Sequence, residues 1–326
     1  MTAISNSAFY NCTSLENITI PDSVESIETA AFSGSKLRSI DIPGSVETIG
    51  SYAFNGLTTL TSVTLNDGLK TISDGAFVTS GVAAVTIPKT VTSIGQNAFA
   101  GCGGLSSVTI LGAATNVGNN VFAGCSGLHK VTSLIETGSI NASAFSPSSL
   151  TDGIYGFAGT TTQTYATTYS VPFHTLQKVV FESKGGSDVP LGYTAAGGTV
   201  DEPDMPTLSG KAFAGWYDNE EYTGAPVTFP YTVSTDKTLF AKWVDLTLSS
   251  SDSDGTIYTG GRVTLTPSLG GGTWDFDEAY LSRDGNTFTA LKAGKTTVTY
   301  AAGGISVAYD VTIEASGLPT TGQDFA

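Results

Sequence analysis

Val91-Thr92-Ser93-Ile94-Gly95-Gln96-Asn97-Ala98-Phe99-Ala100-Gly101-Cys102 is one copy of a pattern that fills the first half of this 326-residue chain. Its Phe belongs to a series, Phe9, Phe32, Phe54, Phe77, Phe99, Phe122 and Phe145, spaced 22 or 23 residues apart. Five residues before these rings stand Ile4, Ile27, Ile49, Ile72, Ile94, Val117 and Ile140. Six residues after come Leu15, Leu60, Leu105 and Leu128, with Leu37 and Val82 one residue earlier in the shorter copies. A second apolar pair follows in most copies, as Ile18 and Ile20, Ile40 and Ile42, Val63 and Leu65, Val85 and Ile87, Val108 and Ile110.

A unit of this length cannot bury its own apolar face, so stacked units must share a continuous core. Leu15-Glu16-Asn17-Ile18-Thr19-Ile20 alternates as a short strand does, which predicts one strand per unit in a parallel sheet. Pro21, Pro43 and Pro88 end strands because Pro cannot donate to the ladder. The Ala-Phe pair, as in Ala98-Phe99, is expected to plug the core from the opposite side of the coil.

The quoted unit resembles the BspA-like leucine-rich repeat, and the resemblance covers roughly residues 3–176. It implies a secreted or surface-attached protein, since that family occurs on bacterial adhesins and antigens. The array fades near Ser146. Thr160 and Gln163 then have capping-box spacing, Tyr165 and Tyr169 share a helix face, and Pro172 stops the helix. This predicts a terminal cap. No comparable cap precedes Ile4, so the sequence reads as part of a longer protein.

The fold class is therefore mainly β, a leucine-rich-repeat solenoid over 1–176 followed by two further modules. In 177–244, Phe213-Ala214-Gly215-Trp216-Tyr217 precedes Thr238-Leu239-Phe240-Ala241-Lys242-Trp243. This is similar to the internalin-B-type B repeat, also called the Listeria–Bacteroides repeat, and implies a small β-grasp-like module. Trp216 and Trp243 are expected to anchor its core, each ring burying ~150–250 Å², with sugar stacking as the other use of such a ring. In 245–315, strands are expected at 245–249, 262–267, 280–282, 287–291, 296–300 and 307–313, with Gly-containing turns between them. The run from Phe288 to Tyr300 is similar to the bacterial group-2 Ig-like domain, a β-sandwich whose inter-sheet plug would be Trp274.

The tail, 316–326, contains Leu318-Pro319-Thr320-Thr321-Gly322, which matches the Leu-Pro-x-Thr-Gly sorting motif. In proteins that carry it, sortase cuts after the Thr, here Thr321, and joins it to peptidoglycan. The apolar span and basic tail that follow the motif in that family do not follow Gly322 in this sequence.

Composition excludes several classes. With 14 basic and 29 acidic residues the net charge is -15, against the basic stripe a nucleic-acid partner requires. No stretch is long and apolar enough to read as a membrane span, and Met1 to Ser5 lacks the basic and apolar regions of a signal peptide. Cys12, Cys102 and Cys125 occupy one repeat slot, filled elsewhere by Ser35, Leu57, Ser80 and Ser148. That tolerance predicts a small, half-buried position and free thiols, although Cys102 and Cys125 in adjacent units are close enough to bridge. Two histidines, His129 and His174, and scattered thiols make no zinc set and no nucleophile–base pair. Asp252-Ser253-Asp254-Gly255 opens like a calcium loop without its closing Glu and reads as a turn. No metal, no cofactor and no catalytic constellation is expected.

The outward positions of the repeat strands remain. The candidate ligand-binding face comprises Asn17, Thr19, Arg38, Asp41, Thr64, Thr86, Thr109, His129, Lys130 and Thr132. A solvated Thr ladder chosen for β-propensity explains the column, and so does an extended surface for a protein or glycan. No aromatic cluster is expected on it. The sequence thus reads as a non-enzymatic, cell-wall-anchored surface protein of a Gram-positive bacterium, an adhesin for a host or neighbouring-cell ligand, with sortase and peptidoglycan as further partners. A secreted or wall-bound carbohydrate-binding protein is the alternative.

Overall fold

The computed structural model describes residues 2–112, 116–145, 150–252 and 254–316. The chain divides into two compact units, Met1–Leu176 and Gln177–Ala326.

The first unit is a solenoid with parallel strands on two sides of the coil rather than the single strand per unit expected from the alternation. On one side Ser39–Ile42 pairs with Ser62–Leu65 as a two-stranded sheet, and Ala84–Ile87, Ser107–Ile110, Lys130–Ser133 and Gly153–Phe157 pair in order in a separate one. The other side has seven two-residue strands, Ala3–Ile4, Ser26–Ile27, Thr48–Ile49, Thr71–Ile72, Ser93–Ile94, Asn116–Val117 and Ser139–Ile140. Its members carry the apolar residue five before each Phe, so that position marks a second strand and not merely a core contact. The strand expected at 15–20 is absent. That segment is linked to the next unit through Leu15 O and Glu16 O, which accept from Lys36 N and Arg38 N at 3.1 Å each. These bonds engage only the first two residues of the alternating stretch, and 17–20 is left out of the ladder.

The third side of each coil turns around the Ala-Phe pair. Residues two before the Phe have positive φ in six turns: Ser7, Ala30, Tyr52, Gly75, Asn97 and Asn120. So do Asn11, Gly34, Gly56, Thr79, Gly101 and Gly124, two after it. Paired left-handed residues reverse the chain on either side of the ring, which is why Gly and Asn recur there. Between them the Phe N–H donates to the Ala carbonyl of the next turn, for example Phe54 to Ala76 and Phe77 to Ala98, both at 2.7 Å. The rings from Phe9 to Phe145 form a stack with centroids 5.0–5.6 Å apart and planes within 12°. Phe32, Phe54, Phe77, Phe99 and Phe122 are fully buried.

The expected cap forms. The helix Thr161–Thr168 begins at Thr160, whose side chain accepts from Gln163 N, while Gln163 Oε1 accepts from Gly159 N at 2.7 Å. Tyr165 meets the last ring of the stack, Phe145, edge-on at 5.4 Å. Its hydroxyl donates to Ala142 O at 3.1 Å. Thr162, itself buried, donates to Ile135 O. The cap therefore closes the core layer and satisfies its backbone together.

The cysteine slot is fully buried rather than half-buried past the first turn. Cys102, Cys125, Ser35, Leu57 and Ser80 have almost no exposure, and Cys12 is intermediate. Ser148 lies outside the described residues. The thiols are free. Cys102 Sγ donates to Phe77 O at 3.2 Å and Cys125 Sγ to Phe99 O at 3.1 Å, one unit back in each case. The side-chain hydrogen bond with Cys102, followed by burial, pushes the Cys125 thiol above its ordinary range.

In the second unit, residues 179–182 pair parallel with Lys237–Val244, which pairs antiparallel with Ala212–Tyr217. Trp216 is 1% exposed at the centre of this module, packed edge-on against Phe181 and Phe213. Trp243 is only half-buried, with Nε1 donating to Ser183 O at 2.8 Å. One Trp therefore anchors the core and the other seals its rim.

Residues 245–316 form two four-stranded sheets. Leu248–Ser250, Arg262–Pro267, Thr287–Ala290 and Leu281–Asp284 make one, and Thr256–Tyr258, Ile305–Glu314, Gly294–Ala302 and Thr273–Asp275 the other. The strands Thr256–Tyr258 and Thr273–Asp275, three residues each, carry too little alternation to be read from sequence. The inter-sheet plug is Phe288, fully buried, and not Trp274. Trp274 sits half-buried on an edge strand, where its ring meets Phe288 edge-on at 5.1 Å. Within this unit the two modules abut through Ala212, Leu246, Tyr300 and Ala302. Phe213 N donates to Gly303 O at 2.9 Å.

Candidate functional site

The outward face of the longer-stranded solenoid sheet is built by a register that stacks equivalent positions. Asp41 stands beside Thr64. Thr86, Thr109 and Thr132 align in the next strands, and the column continues to Tyr155 and His174. Thr64 and Thr86 are exposed, while Thr109 and Thr132 are intermediate. The alternation places Val85, Val108, Val131 and Ile154 inward at the same time.

Tyr155 and His174 are the residues that sequence reasoning missed, and they bring one stacked aromatic pair to the end of a face on which no aromatic cluster is expected. Their rings stack with centroids 4.5 Å apart and planes 19° from parallel. On the neighbouring strand Lys130 Nζ lies 4.7 Å from the Tyr155 ring centroid. Lys130 pairs with Gly153, whose φ of +79° and 2.4 Å approach of a built Cβ to Pro172 O require a glycine. No side chain therefore stands beside Lys130 at that point. His129 is oriented by Nδ1 against Gly127 O at 2.9 Å, and its Nε2 lies 3.8 Å from Asp152 Oδ2. The result is a corner of two stacked rings, Tyr155 half-buried and His174 exposed, beside the exposed Lys130 ammonium at the end of a polar ladder. The signal was available: Gly153-Ile154-Tyr155 continues the alternation of Lys130-Val131-Thr132.

The remaining expected residues do not join this corner. Arg38 is tied to Glu16, Nε to Oε2 at 3.0 Å, and this pairing lowers the Glu16 carboxyl pKa on an exposed surface. Asp41 Oδ1 accepts from Asn66 Nδ2 at 2.7 Å. Asn17 and Thr19 are exposed but lie in the segment without strand pairing. Residues Leu318, Pro319, Thr320, Thr321 and Gly322 lie outside the described residues. At the Asp252 turn, Asp254 N donates to Asp252 Oδ1 and Thr256 N to Asp254 Oδ1, so those carboxylates hold the turn itself. Ser253 lies outside the described residues. Among the described residues no helix is long and apolar enough to cross a membrane.

Comparison with known proteins places these features. Residues 178–242 match the model of the Listeria–Bacteroides repeat domain. Two curated relatives from Evansella cellulosilytica match over 65 residues. One, a Gly-rich membrane protein, is 45% identical over 20% of this chain and 8% of its own length. The other, a membrane protein, is 43% identical over 20% of this chain and 10% of its own. The chain thus spans a tenth or less of these relatives. Among solved structures, a leucine-rich-repeat protein of T. pallidum is 31% identical with a TM-score of 0.31, covering 33% of this chain and 52% of its own. A leucine-rich cell surface protein of Faecalibacterium prausnitzii is 23% identical with a TM-score of 0.31, covering 49% and 55%. The model of the BspA-type leucine-rich-repeat region matches in six copies over 1–104 and 57–173, more than half of the sequence, and the chain belongs to that family.

Proposed function

We propose that this chain is a non-enzymatic surface protein that binds a protein or glycan on a host or neighbouring cell through the outward face of its solenoid. The observation that carries this reading is the column running from Thr86 to His174, ending in the Lys130–Tyr155–His174 corner. A repeat surface offers many equivalent small contacts, and an aromatic–cationic corner supplies the kind of anchor on which binding energy concentrates. The Lys130 ammonium favours a ligand with acidic groups, against the negative charge of the chain as a whole. The 245–315 module is read as an Ig-like spacer. Leu318 to Gly322 is read as a sortase substrate that attaches the protein to the Gram-positive wall through Thr321.

Two experiments test this. The fluorescently labelled protein is applied to epithelial cells and to bacteria. The parent is expected to bind saturably, and a Lys130→Ala, Tyr155→Ala double variant to lose about tenfold in affinity. Equal binding by parent and variant would remove the corner from the interface, and absence of binding to every surface would remove the adhesin reading. Separately, incubation with a class A sortase and a glycine nucleophile is expected to label Thr321. Resistance of the intact protein, while a control peptide is cut, would end the anchoring reading.

A further inference from the structure

We infer that the C-terminal β-sandwich carries a saccharide site of its own, a cleft between its two sheets that takes a neutral sugar. The cleft has a volume of about 640 Å³, in the range of small-ligand sites. It lies where both sheets end on the same side. Thr273–Asp275 is the edge strand of one sheet and Leu281–Asp284 the edge strand of the other. The segment 276–280 connects them.

The apolar wall is preorganised. Trp274 and Phe276 both line the cleft, and both meet the buried Phe288 edge-on, at 5.1 and 5.3 Å. Trp274 is held further by Tyr300, 4.5 Å away between centroids. The two rings remain half-buried. Leu291, 50% exposed, adds apolar surface that the sandwich core does not use. Rings fixed before a ligand arrives lose little entropy when it binds.

The polar wall selects the ligand. Glu278, Arg283 and Asp284 line the same cleft. Arg283 is positioned by Nε donating to Gly285 O at 2.7 Å. Among the described residues neither Glu278 nor Asp284 is ion-paired. Carboxylates accept from hydroxyl groups and the guanidinium donates to them. An anionic sugar meets two carboxylates, and an organic cation meets the guanidinium. A neutral pyranose satisfies both, laying its C–H face against the rings and its hydroxyl rim against the charged groups. No residue of the solenoid takes part, so this site stands or falls independently of the surface-binding reading above.

The test uses the full chain with nitrogen-labelled Trp, whose three indole N–H resonances are assigned by substitution. Neutral hexasaccharides of β-glucan, mannan and xylan are titrated, with sialyllactose and choline as charged probes. The Trp274 resonance is expected to shift saturably with at least one neutral sugar while that of Trp216 stays fixed. Arg283→Ala is expected to weaken the titration about tenfold, and Lys130→Ala to leave it unchanged. Three results would overturn the inference. One is no shift with any neutral sugar up to about 10 mM. Another is a response to sialyllactose or choline alone. The last is an Arg283→Ala protein, folded by its unchanged Trp216 resonance, that titrates like the parent.

Discussion

The two units solve the same packing problem in opposite ways. In the solenoid the repeat Phe rings meet copies of themselves, face to face, at a spacing fixed by the strands. In the C-terminal sandwich Trp274 and Phe276 meet Phe288 edge-on, and each contact occurs once. A repeated contact imprints a period on the sequence. A single contact between distant segments leaves none. The solenoid core is therefore assignable residue by residue from sequence, whereas the plug of the sandwich is Phe288 and not the expected Trp274.

The comparison predicts how each core fails. Phe99→Ala removes a ring from the middle of a stack and should cost ~3–5 kcal/mol. All three Trp residues lie in the second unit, so their emission reports that unit alone. Circular dichroism should show a lowered transition while the Trp emission transition keeps its midpoint. A common shift in both signals would mean that the units unfold together, and the contrast between a one-dimensional and a globular core would collapse.

Phe288→Ala and Trp274→Ala separate plug from rim within the sandwich. The first should cost ~3–5 kcal/mol, the second about 1–3 kcal/mol because the ring is only half-buried. Hydrogen exchange of the sandwich-core amides of Val298 and Val311 measures both. Equal losses would restore Trp274 as a plug.

Gly303→Ala probes the junction inside the second unit. Gly303 has φ +57°, and a built Cβ falls 2.5 Å from Phe213 O and 2.6 Å from Phe213 N. The strain should cost about 1–3 kcal/mol. Its readout is the Phe213 amide, bonded to Gly303 O, which should exchange with solvent faster in the variant. Unchanged exchange would show that the two modules do not depend on this contact.

Lys130→Ala should have the smallest effect on stability. Its ammonium lies over Tyr155 on an exposed face, an arrangement worth about 0.5–1 kcal/mol. A thermal midpoint displaced as far as that of Phe99→Ala would make the corner part of the framework rather than a surface feature.

Legibility followed the range of the determining interaction. The helix cap was readable because Thr160, Gln163, Tyr165 and Tyr169 act within one local segment. The burial of the Cys102 and Cys125 slot was underestimated, since tolerance of Ser and Leu alike hid how deep the position is. The binding face was half-legible. The Thr column followed from alternation, but Tyr155 and His174 sit in segments that carry no repeat Phe, and a search by period stops before them.

By itself the sequence determined the register of the solenoid, the inward residues and the end of the array, because a 22- or 23-residue period leaves one way to stack apolar positions. Only the tertiary structure decided that each coil has a second strand, that Lys130 faces Tyr155 across a glycine, and that two strands of different sheets end together around Trp274. Two-residue strands are held by neighbouring turns rather than by their own composition. A cleft exists only where separately folded edges meet. Such features arise from contacts between residues far apart in the chain, and those contacts require neither periodicity nor a local motif.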